Sequence, residues 1–237
     1  MAIEEPLEIR VEGQPVAVTM RTPGHDRELA AGFLLTEGIL EDAADLAALE
    51  AIGTSGNTVD ARLAAGVEAH REALRRATRE LYATSSCGIC GKASIDRIRI
   101  VARVGIPGLA LDGAFVRSLP ERLRTAQDGF RATGGLHGAA LVRPDGTVEA
   151  VREDVGRHNA VDKVLGVRLL EDRIPVDDVV LVVSSRAGFE ILQKARVAGV
   201  GAVVALGAAT TLAVDLASDA GIALYGFVTA HRYNRYS

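Results

Sequence analysis

The chain contains little of several residue types whose abundance marks particular classes of protein. Among its 237 residues there are two cysteines, no tryptophan and 4% aromatic residues. Two cysteines are too few for a disulfide scaffold, and they supply only half of the four ligands that a structural zinc site usually has. No run of about 18 uncharged apolar residues occurs, so the sequence predicts no membrane-spanning helix.

The charge balance shows no basic excess. The chain has 27 basic and 31 acidic residues, a formal net charge of −4, and 48% hydrophobic residues. This is the balance of an ordinary globular chain, and it argues against a dedicated nucleic-acid binder, which usually presents a net basic face. The acidic start at residues 1–6 lacks the basic and apolar runs of a signal peptide, so we expect a cytoplasmic protein.

Lysine and asparagine are also scarce. A coding bias toward arginine and alanine explains this scarcity, and a lysine or asparagine that persists against the bias indicates a chemical need at its position. The three lysines and three asparagines are Lys92, Lys163, Lys194, Asn57, Asn159 and Asn234.

The first half of the chain is predicted to mix strands and helices. Apolar residues alternate with polar ones on both sides of Gly13, which predicts a two-stranded hairpin. Asp26 suits the N-cap of a helix to about Ile39, and Pro120 suits the start of another to about Ala132. The alternating residues are Leu7, Ile9, Val11, Val16, Val18 and Met20, and the other predicted elements are a helix at 41–50, a strand at 58–63 and a helix at 67–82.

Apolar strands alternate with helices in the last third of the chain, after a predicted hairpin at 139–142 and 147–151. This alternation implies a parallel sheet that is covered on both faces. We therefore expect an N-terminal part over residues 1–118 and an α/β part over residues 119–237, or else one continuous domain. The predicted helices are 157–170, 189–197 and 211–220, and the predicted strands are 179–183, 202–206 and 222–228.

The two cysteines form the motif Cys87-Gly88-Ile89-Cys90 in a predicted loop rich in serine and glycine. A thiolate can attack sulfur or bind a metal, and two thiols three positions apart can close on each other or share a transferred group. Lys92 and Arg97 follow closely and could lower the pKa of a thiol. Sulfur or redox chemistry is favoured over the alternatives, which are a metal site and a pair of inert buried residues.

Four further stretches place polar side chains where ligands bind. A predicted helix start attracts anions, and the end of a buried strand is where open α/β sheets bind nucleotides. Each stretch also has a structural alternative: helix capping, a simple βα turn, a frayed C-terminus or a satisfied histidine. The stretches are Arg157-His158-Asn159 with Lys163, then Ser184-Ser185-Arg186-Ala187-Gly188, then residues 227–234, and His137 within the glycine-rich run 134–138.

These blocks, in this order, resemble one family, the formate dehydrogenase accessory sulfurtransferases or FdhD family. The resemblance extends from the first hairpin to the C-terminus. It rests on residues 28–39, 86–91, 133–137, 153–163, 184–190, 208–213 and 226–227.

The resemblance implies a fold similar to that of cytidine deaminases, a three-layer α/β/α sandwich with a mixed sheet, here with a smaller N-terminal β-hairpin and helical part. It implies a cytoplasmic homodimer that takes persulfide sulfur from a cysteine desulfurase. The sulfur would then go to the bis-molybdopterin guanine dinucleotide molybdenum cofactor, which formate dehydrogenase requires. Neither nucleic acid nor a membrane is an implied partner, and no metal ligand is implied.

Carried over by position, the resemblance places the persulfide on Cys87 and leaves the role of Cys90 open. The cofactor-binding stretch of the family falls on six residues near the C-terminus, whose inner positions vary within the family. These residues are Phe227, Val228, Thr229, Ala230, His231 and Arg232.

Two other functions compete with the sulfurtransferase. A zinc hydrolase on a deaminase-like fold needs His-x-Glu and Pro-Cys-x-x-Cys, but Ala139 stands two residues after His137 and Ser86 precedes Cys87. The second alternative is a non-catalytic chaperone that binds the molybdenum cofactor for formate dehydrogenase, with incidental cysteines.

Overall fold

A computed structural model of the chain describes residues 1–53, 56–65, 109 and 111–237. These residues form a mixed α/β structure with a four-stranded and a six-stranded sheet. The predicted helix at 67–82 and the Cys87–Cys90 motif lie outside the described residues. None of the helices in the described ranges is long and apolar enough to cross a membrane.

The four-stranded sheet confirms the predicted N-terminal hairpin. Strands β1 and β2 pair in antiparallel fashion, but the pairing shifts between Ile9 and Arg10, so that Val16 is an extra residue opposite them. Val16 therefore reaches the core, whereas Val18 and Met20 are exposed. The strands are β1 (Glu5–Val11), β2 (Gln14–Arg21), β3 (Leu46–Ile52) and β4 (Thr58–Leu63), in the order β2-β1-β4-β3, with β1 and β4 parallel.

Two predictions in this part are wrong. Helix α1 (Asp26–Thr36) has His25 at its N-cap, and both carboxylate oxygens of Asp26 instead accept hydrogen bonds of 3.0 Å from Arg21. The second half of the predicted helix at 41–50 is strand β3, after a short 3-10 turn at Ala43–Asp45. The leucines and alanines of β3 suit a helix, but antiparallel pairing with β4 decides its conformation.

The prediction that Pro120 begins a helix is also wrong. Helix α2 (Gly113–Thr125) begins seven residues earlier, where the side chain of Asp112 accepts hydrogen bonds from the N–H groups of Ala114 and Phe115. A second short helix, α3 (Asp128–Thr133), ends at Gly134, whose positive φ allows the chain to turn, as predicted. The expected boundary between residues 118 and 119 falls inside α2, and the division into two parts stays a prediction.

The six-stranded sheet has the order β10-β9-β8-β7-β5-β6. Only β7, β8 and β9 are parallel, so the predicted parallel arrangement holds for the centre of a mixed sheet. The helices predicted at 157–170, 189–197 and 211–220 are confirmed. The elements are β5 (His137–Val142), β6 (Val148–Asp154), α4 (Arg157–Leu170), β7 (Val180–Val183), α5 (Phe189–Ala198), β8 (Ala202–Ala205), α6 (Thr211–Ala220), β9 (Ala223–Gly226) and β10 (Asn234–Arg235).

Helices cover both faces of this sheet. On one face, Val116, Leu119 and Leu123 of α2 pack against alternate residues of the strands. On the other face, α4, α5 and α6 belong to a second cluster of buried residues, which continues through α1 into the four-stranded sheet. One core of buried residues therefore joins the two sheets.

Helices α1 and α4 cross with two glycines at the contact. A Cβ atom built on Gly32 would lie 1.8 Å from the carbonyl oxygen of Asp162, and one on Gly166 would lie 1.9 Å from that of Glu28. The two backbones therefore touch directly. Residues 157–170 are positioned by this crossing, and so are the polar side chains at the start of α4.

Candidate functional site

Three loops meet at the carboxyl ends of β7, β8 and β9. The N–H of Ala187 donates to the carbonyl oxygen of Ala208 at 2.9 Å, and the N–H of Phe227 donates to that of Gly207 at 2.8 Å. Loop 206–210 therefore joins loop 184–188 to loop 227–233. The predicted stretches Ser184–Gly188 and 227–232 do lie at one edge of the sheet, the position at which α/β sheets bind ligands.

Gly207 allows this close approach. A Cβ atom at Gly207 would lie 2.9 Å from the amide nitrogen of Arg186 and 3.0 Å from the carbonyl oxygen of Ser185. The reasoning from individual residues missed loop 206–210 as part of the site. A glycine directly after an apolar strand was the available signal.

Loop 227–233 presents the aromatic ring of Phe227, the imidazole of His231 and the guanidinium of Arg232. Phe227 has a left-handed backbone with φ 52°, and its side chain is 49% exposed. His231 and Arg232 are exposed, whereas Val228 is buried in the core. The hydroxyl oxygen of Thr229 accepts from the N–H groups of His231 and Arg232, at 3.3 and 3.1 Å, so Thr229 shapes the loop.

The exposed basic side chains at this edge lack carboxylate partners among the described residues. The side chains of Arg186, His231 and Arg232 are exposed, and none forms an ion pair within the described part of the chain. By contrast, arginines near α4 form ion pairs, such as Arg152 with Glu28 and Arg168 with Glu149. The free cations leave the edge suited to an anionic ligand.

A second group of polar side chains lies beside loop 184–188. Gly138, which follows His137, exchanges two hydrogen bonds of 2.9 Å with Ser184, through its N–H to the hydroxyl and through its carbonyl to the N–H. Nε2 of His158, at the start of α4, lies 2.6 Å from Oε2 of Glu190 in the first turn of α5. Glu190 had been noted only as part of the family resemblance.

The pKa values of His137 and Glu190 both lie below their ordinary values, for different reasons. Burial lowers the pKa of His137, and the charges of Arg157 and His158 lower it further against the opposing effect of Asp154. Burial raises the pKa of Glu190, but the hydrogen bond and charge of His158, with the charges of Lys194 and Arg157, outweigh it and leave that pKa below its ordinary value. Glu190 is therefore ionised at neutral pH.

Asn159 and Lys163 do not join the candidate anion site. The amide of Asn159 donates to the carbonyl oxygen of Met20 and to Asp154, at 2.8 and 3.0 Å. The ammonium of Lys163 lies 2.8 Å from Asp154 and donates to the carbonyl oxygen of Thr22 at 2.9 Å. These buried residues tie the end of β2 to the start of α4, so their role is structural, but it is neither helix capping nor that of a solvated charge.

A second buried ion pair involves Asp162, the residue before Lys163 on α4. Nζ of Lys194 on α5 donates to both carboxylate oxygens of Asp162 and to the hydroxyl of Thr36, each at 2.9 Å. Burial lowers the pKa of Lys194, but Asp162 and Glu37 outweigh it and raise that pKa above its ordinary value. Lys194 is therefore charged and joins α1, α4 and α5.

Cys87 and Cys90, with Lys92 and Arg97, lie outside the described residues. Within the described ranges, no group of three or more histidine, aspartate or glutamate side chains is arranged to hold a metal ion. What the described residues form is a cationic edge with one aromatic ring, flanked by the pair His158–Glu190.

Comparisons with known proteins cover almost the whole chain. Residues 2–237 match the model of the FdhD/NarQ family. The chain is 47% identical over its full length to a protein of Streptomyces avermitilis and 48% identical to one of Mycolicibacterium paratuberculosis, covering 86% and 89% of them. Both relatives are named sulfur carrier protein FdhD.

A solved structure shows the same fold. It is the crystal structure described as a formate dehydrogenase accessory protein from Desulfotalea psychrophila, with a TM-score of 0.76 and 20% sequence identity. The match covers 99% of this chain and 87% of that one. With the family match over residues 2–237, these similarities lead to one conclusion: the chain belongs to the FdhD/NarQ family.

Proposed function

We propose that the protein is a sulfur carrier that supports formate dehydrogenase. It accepts persulfide sulfur from a cysteine desulfurase on Cys87 and delivers it to the bis-molybdopterin guanine dinucleotide cofactor, which is its substrate. Support comes from relatives named sulfur carrier protein FdhD and from a fold shared with a formate dehydrogenase accessory protein.

The observation that carries this proposal is the meeting of loops 184–188, 206–210 and 227–233. Arg186, His231 and Arg232 are exposed there, and the substrate is a strongly anionic dinucleotide. Guanidinium groups bind phosphate oxygens through charge-assisted hydrogen bonds. The exposed ring of Phe227 offers a flat apolar surface on which a guanine base can stack.

Sulfur acceptance is a thiol–persulfide exchange. The thiolate of Cys87 attacks the outer sulfur of the desulfurase persulfide, forming a new S–S bond while the S–S bond of the donor breaks. The donor cysteine leaves as a thiolate, and Cys87 carries the persulfide. No net oxidation occurs in this step.

Sulfur delivery as sulfide requires two electrons, which Cys90 can supply. Its thiolate attacks the inner sulfur of the Cys87 persulfide, so a Cys87–Cys90 disulfide forms and hydrosulfide leaves toward the cofactor. A cellular dithiol then reduces the disulfide and restores both thiols. The motif spacing supports this role because two cysteines three positions apart can close on each other.

The same proposal extends to fold and assembly. A mixed six-stranded sheet with helices on both faces suits a cytidine-deaminase-like α/β/α sandwich. A homodimer would bring two dinucleotide-binding edges to one bis-dinucleotide substrate, so each edge would hold one guanine end.

Mass spectrometry of the intact protein tests the relay. After incubation with a cysteine desulfurase and cysteine, we expect the wild type to gain about one sulfur atom, which a reductant removes. Cys87→Ala should gain none, and the matched variant Cys90→Ala should still gain it. If the wild type gains no sulfur, or if Cys87→Ala still supports formate dehydrogenase, the chaperone function replaces the relay.

Arg186→Ala tests the nucleotide-binding edge. Guanosine diphosphate carries the base and two phosphates of one end of the substrate, and loss of a charge-assisted hydrogen bond should weaken its binding about tenfold. Titration calorimetry measures this change. Arg27→Ala, which removes an exposed arginine of α1, is the matched control and should bind normally. Equal binding by Arg186→Ala would remove loop 184–188 from the site.

A further inference from the structure

Four ionisable side chains form two pairs between α4 and α5, which we call the outer and the inner rung. On α4, His158 and Asp162 are four residues apart, and on α5, Glu190 and Lys194 are also four residues apart. Residues with this spacing lie on the same face of a helix. His158 pairs with Glu190 at 2.6 Å at the rim, and Asp162 pairs with Lys194 at 2.9 Å in the core. The imidazole of His158 thus lies at the outer end of these two pairs.

The inner rung supports the outer one. The positive charge of Lys194, one turn along α5, helps to hold Glu190 ionised. His137 on β5 interacts electrostatically with His158, Arg157 on α4 interacts with both His137 and Glu190, and Asp154 on β6 interacts with His137. Asp154 is engaged by Lys163. Glu190 is therefore the carboxylate that orients His158.

The outer rung lies at the edge proposed to bind the cofactor. Glu190 lies two residues after loop 184–188, and that loop contacts loop 206–210, which contacts Phe227. The side chain of His158 is 26% exposed, so the imidazole remains open to solvent beside the loops. Its Nε2 faces Glu190, and Nδ1 forms no hydrogen bond with any described residue.

We propose that His158 is the proton donor of sulfur delivery and that Glu190 is its positioning residue. This inference rests on the proposed function. Hydrosulfide that enters the molybdenum cofactor displaces an oxygen ligand, and a bound hydroxide leaves readily only as water. The imidazolium gives its Nδ1 proton to that hydroxide. With M for the molybdenum of the substrate, M–OH, HS⁻ and imidazolium become M–SH, water and neutral imidazole. The metal keeps its oxidation state, and the Nε2–H group stays hydrogen-bonded to Glu190. Solvent then returns a proton to Nδ1.

Delivery can be measured apart from loading. The protein is loaded with radiolabelled sulfur by a cysteine desulfurase, and transfer to the isolated, sulfur-free molybdenum cofactor is followed between about pH 6 and pH 9. We expect wild-type delivery to slow as the pH rises, because the imidazolium is lost. His158→Gln should load normally, deliver about 100-fold more slowly near neutral pH, and lose this alkaline fall.

Glu190→Gln gives a second, independent readout. Glutamine still accepts the hydrogen bond of Nε2, but it no longer offsets the imidazolium charge, so the alkaline fall should move to lower pH. The matched control is His25→Asn, which removes the imidazole of the exposed pair His25–Glu28 and suits the left-handed backbone there. It should deliver like the wild type.

The outcomes separate this inference from the proposed function. A wild type that does not load sulfur would overturn the proposed function itself. The role of His158 would be overturned if His158→Gln loads normally and then delivers as fast as the wild type. It would also be overturned if this variant loads normally and delivers more slowly but keeps the alkaline fall. If His158→Gln does not fold, the shift expected for Glu190→Gln decides, and an unmoved profile overturns the inference.

Discussion

Replacing Gly166 by alanine is expected to destabilise the protein by about 3 kcal/mol or more. The added Cβ would lie 1.9 Å from the carbonyl oxygen of Glu28, which belongs to the backbone of α1 and cannot rotate away. In a helix interior without such a neighbour, the same change would stabilise by about 1 kcal/mol. The sign of the effect therefore reports the contact between α1 and α4, and urea denaturation measures it.

The partner glycine and an open glycine serve as comparisons. Gly32→Ala should destabilise similarly, and the double variant should lose less than the sum, because helices forced apart by one methyl group accommodate the other. Gly188→Ala should change stability by about 1 kcal/mol or less, since its Cβ would meet no atom within 4 Å. A Gly166→Ala variant as stable as the wild type would contradict the crossing.

Replacing Lys163 by methionine is expected to cost about 3–5 kcal/mol of stability. The side chains of Lys163 and Asp154 are 1% and 0% exposed, and methionine would leave the carboxylate buried without a counterion. Two backbone carbonyls, of Thr22 and Glu153, would also lose a donor. The change should appear as a lower midpoint of urea denaturation.

An exposed ion pair provides the control for Lys163. Arg62 and Glu50 are 2.9 Å apart, but their side chains are 58% and 60% exposed. Arg62→Met should therefore change stability by less than about 1 kcal/mol. Adding Asp154→Asn to Lys163→Met should recover part of the loss, because it removes the unpaired charge. A loss no larger than that of Arg62→Met would show that Asp154 needs no counterion.

The elements that hydrophobic pattern and end signals define could be predicted from the sequence. Val180–Val183 is a continuous apolar run, and Thr211–Ala220 lies between a threonine and a glycine. Strand β3 could not be predicted, because its alanines, leucines and glutamate suit a helix and only pairing with β4 makes it a strand. The extra residue at Val16 is likewise a property of the strand pair.

The site was predictable in part for a similar reason. Loop 184–188 follows a strand that is visible in the sequence, so its place at a ligand-binding edge followed. Lys163 and Lys194, which the scarcity of lysine singled out, both form buried ion pairs, but their partners Asp154 and Asp162 come from the fold. Scarcity could not distinguish a buried ion pair from a ligand-binding cation. The pairing of His158 with Glu190 also depends on how two helices pack.

Loop 227–233 is closed at its base, and this closure would favour tight binding of the proposed nucleotide. Asn234 of β10 lies opposite Gly226 of β9, and beyond it the hydroxyl of Ser237 donates to the carbonyl oxygen of Ile222 at 2.6 Å. Ordering a backbone costs about 1–2 kcal/mol per residue in conformational entropy. Here that ordering accompanies folding, so it does not subtract from the affinity for a nucleotide. If loop 227–233 binds the nucleotide as proposed, residues 234–237 strengthen that binding by preorganising the loop.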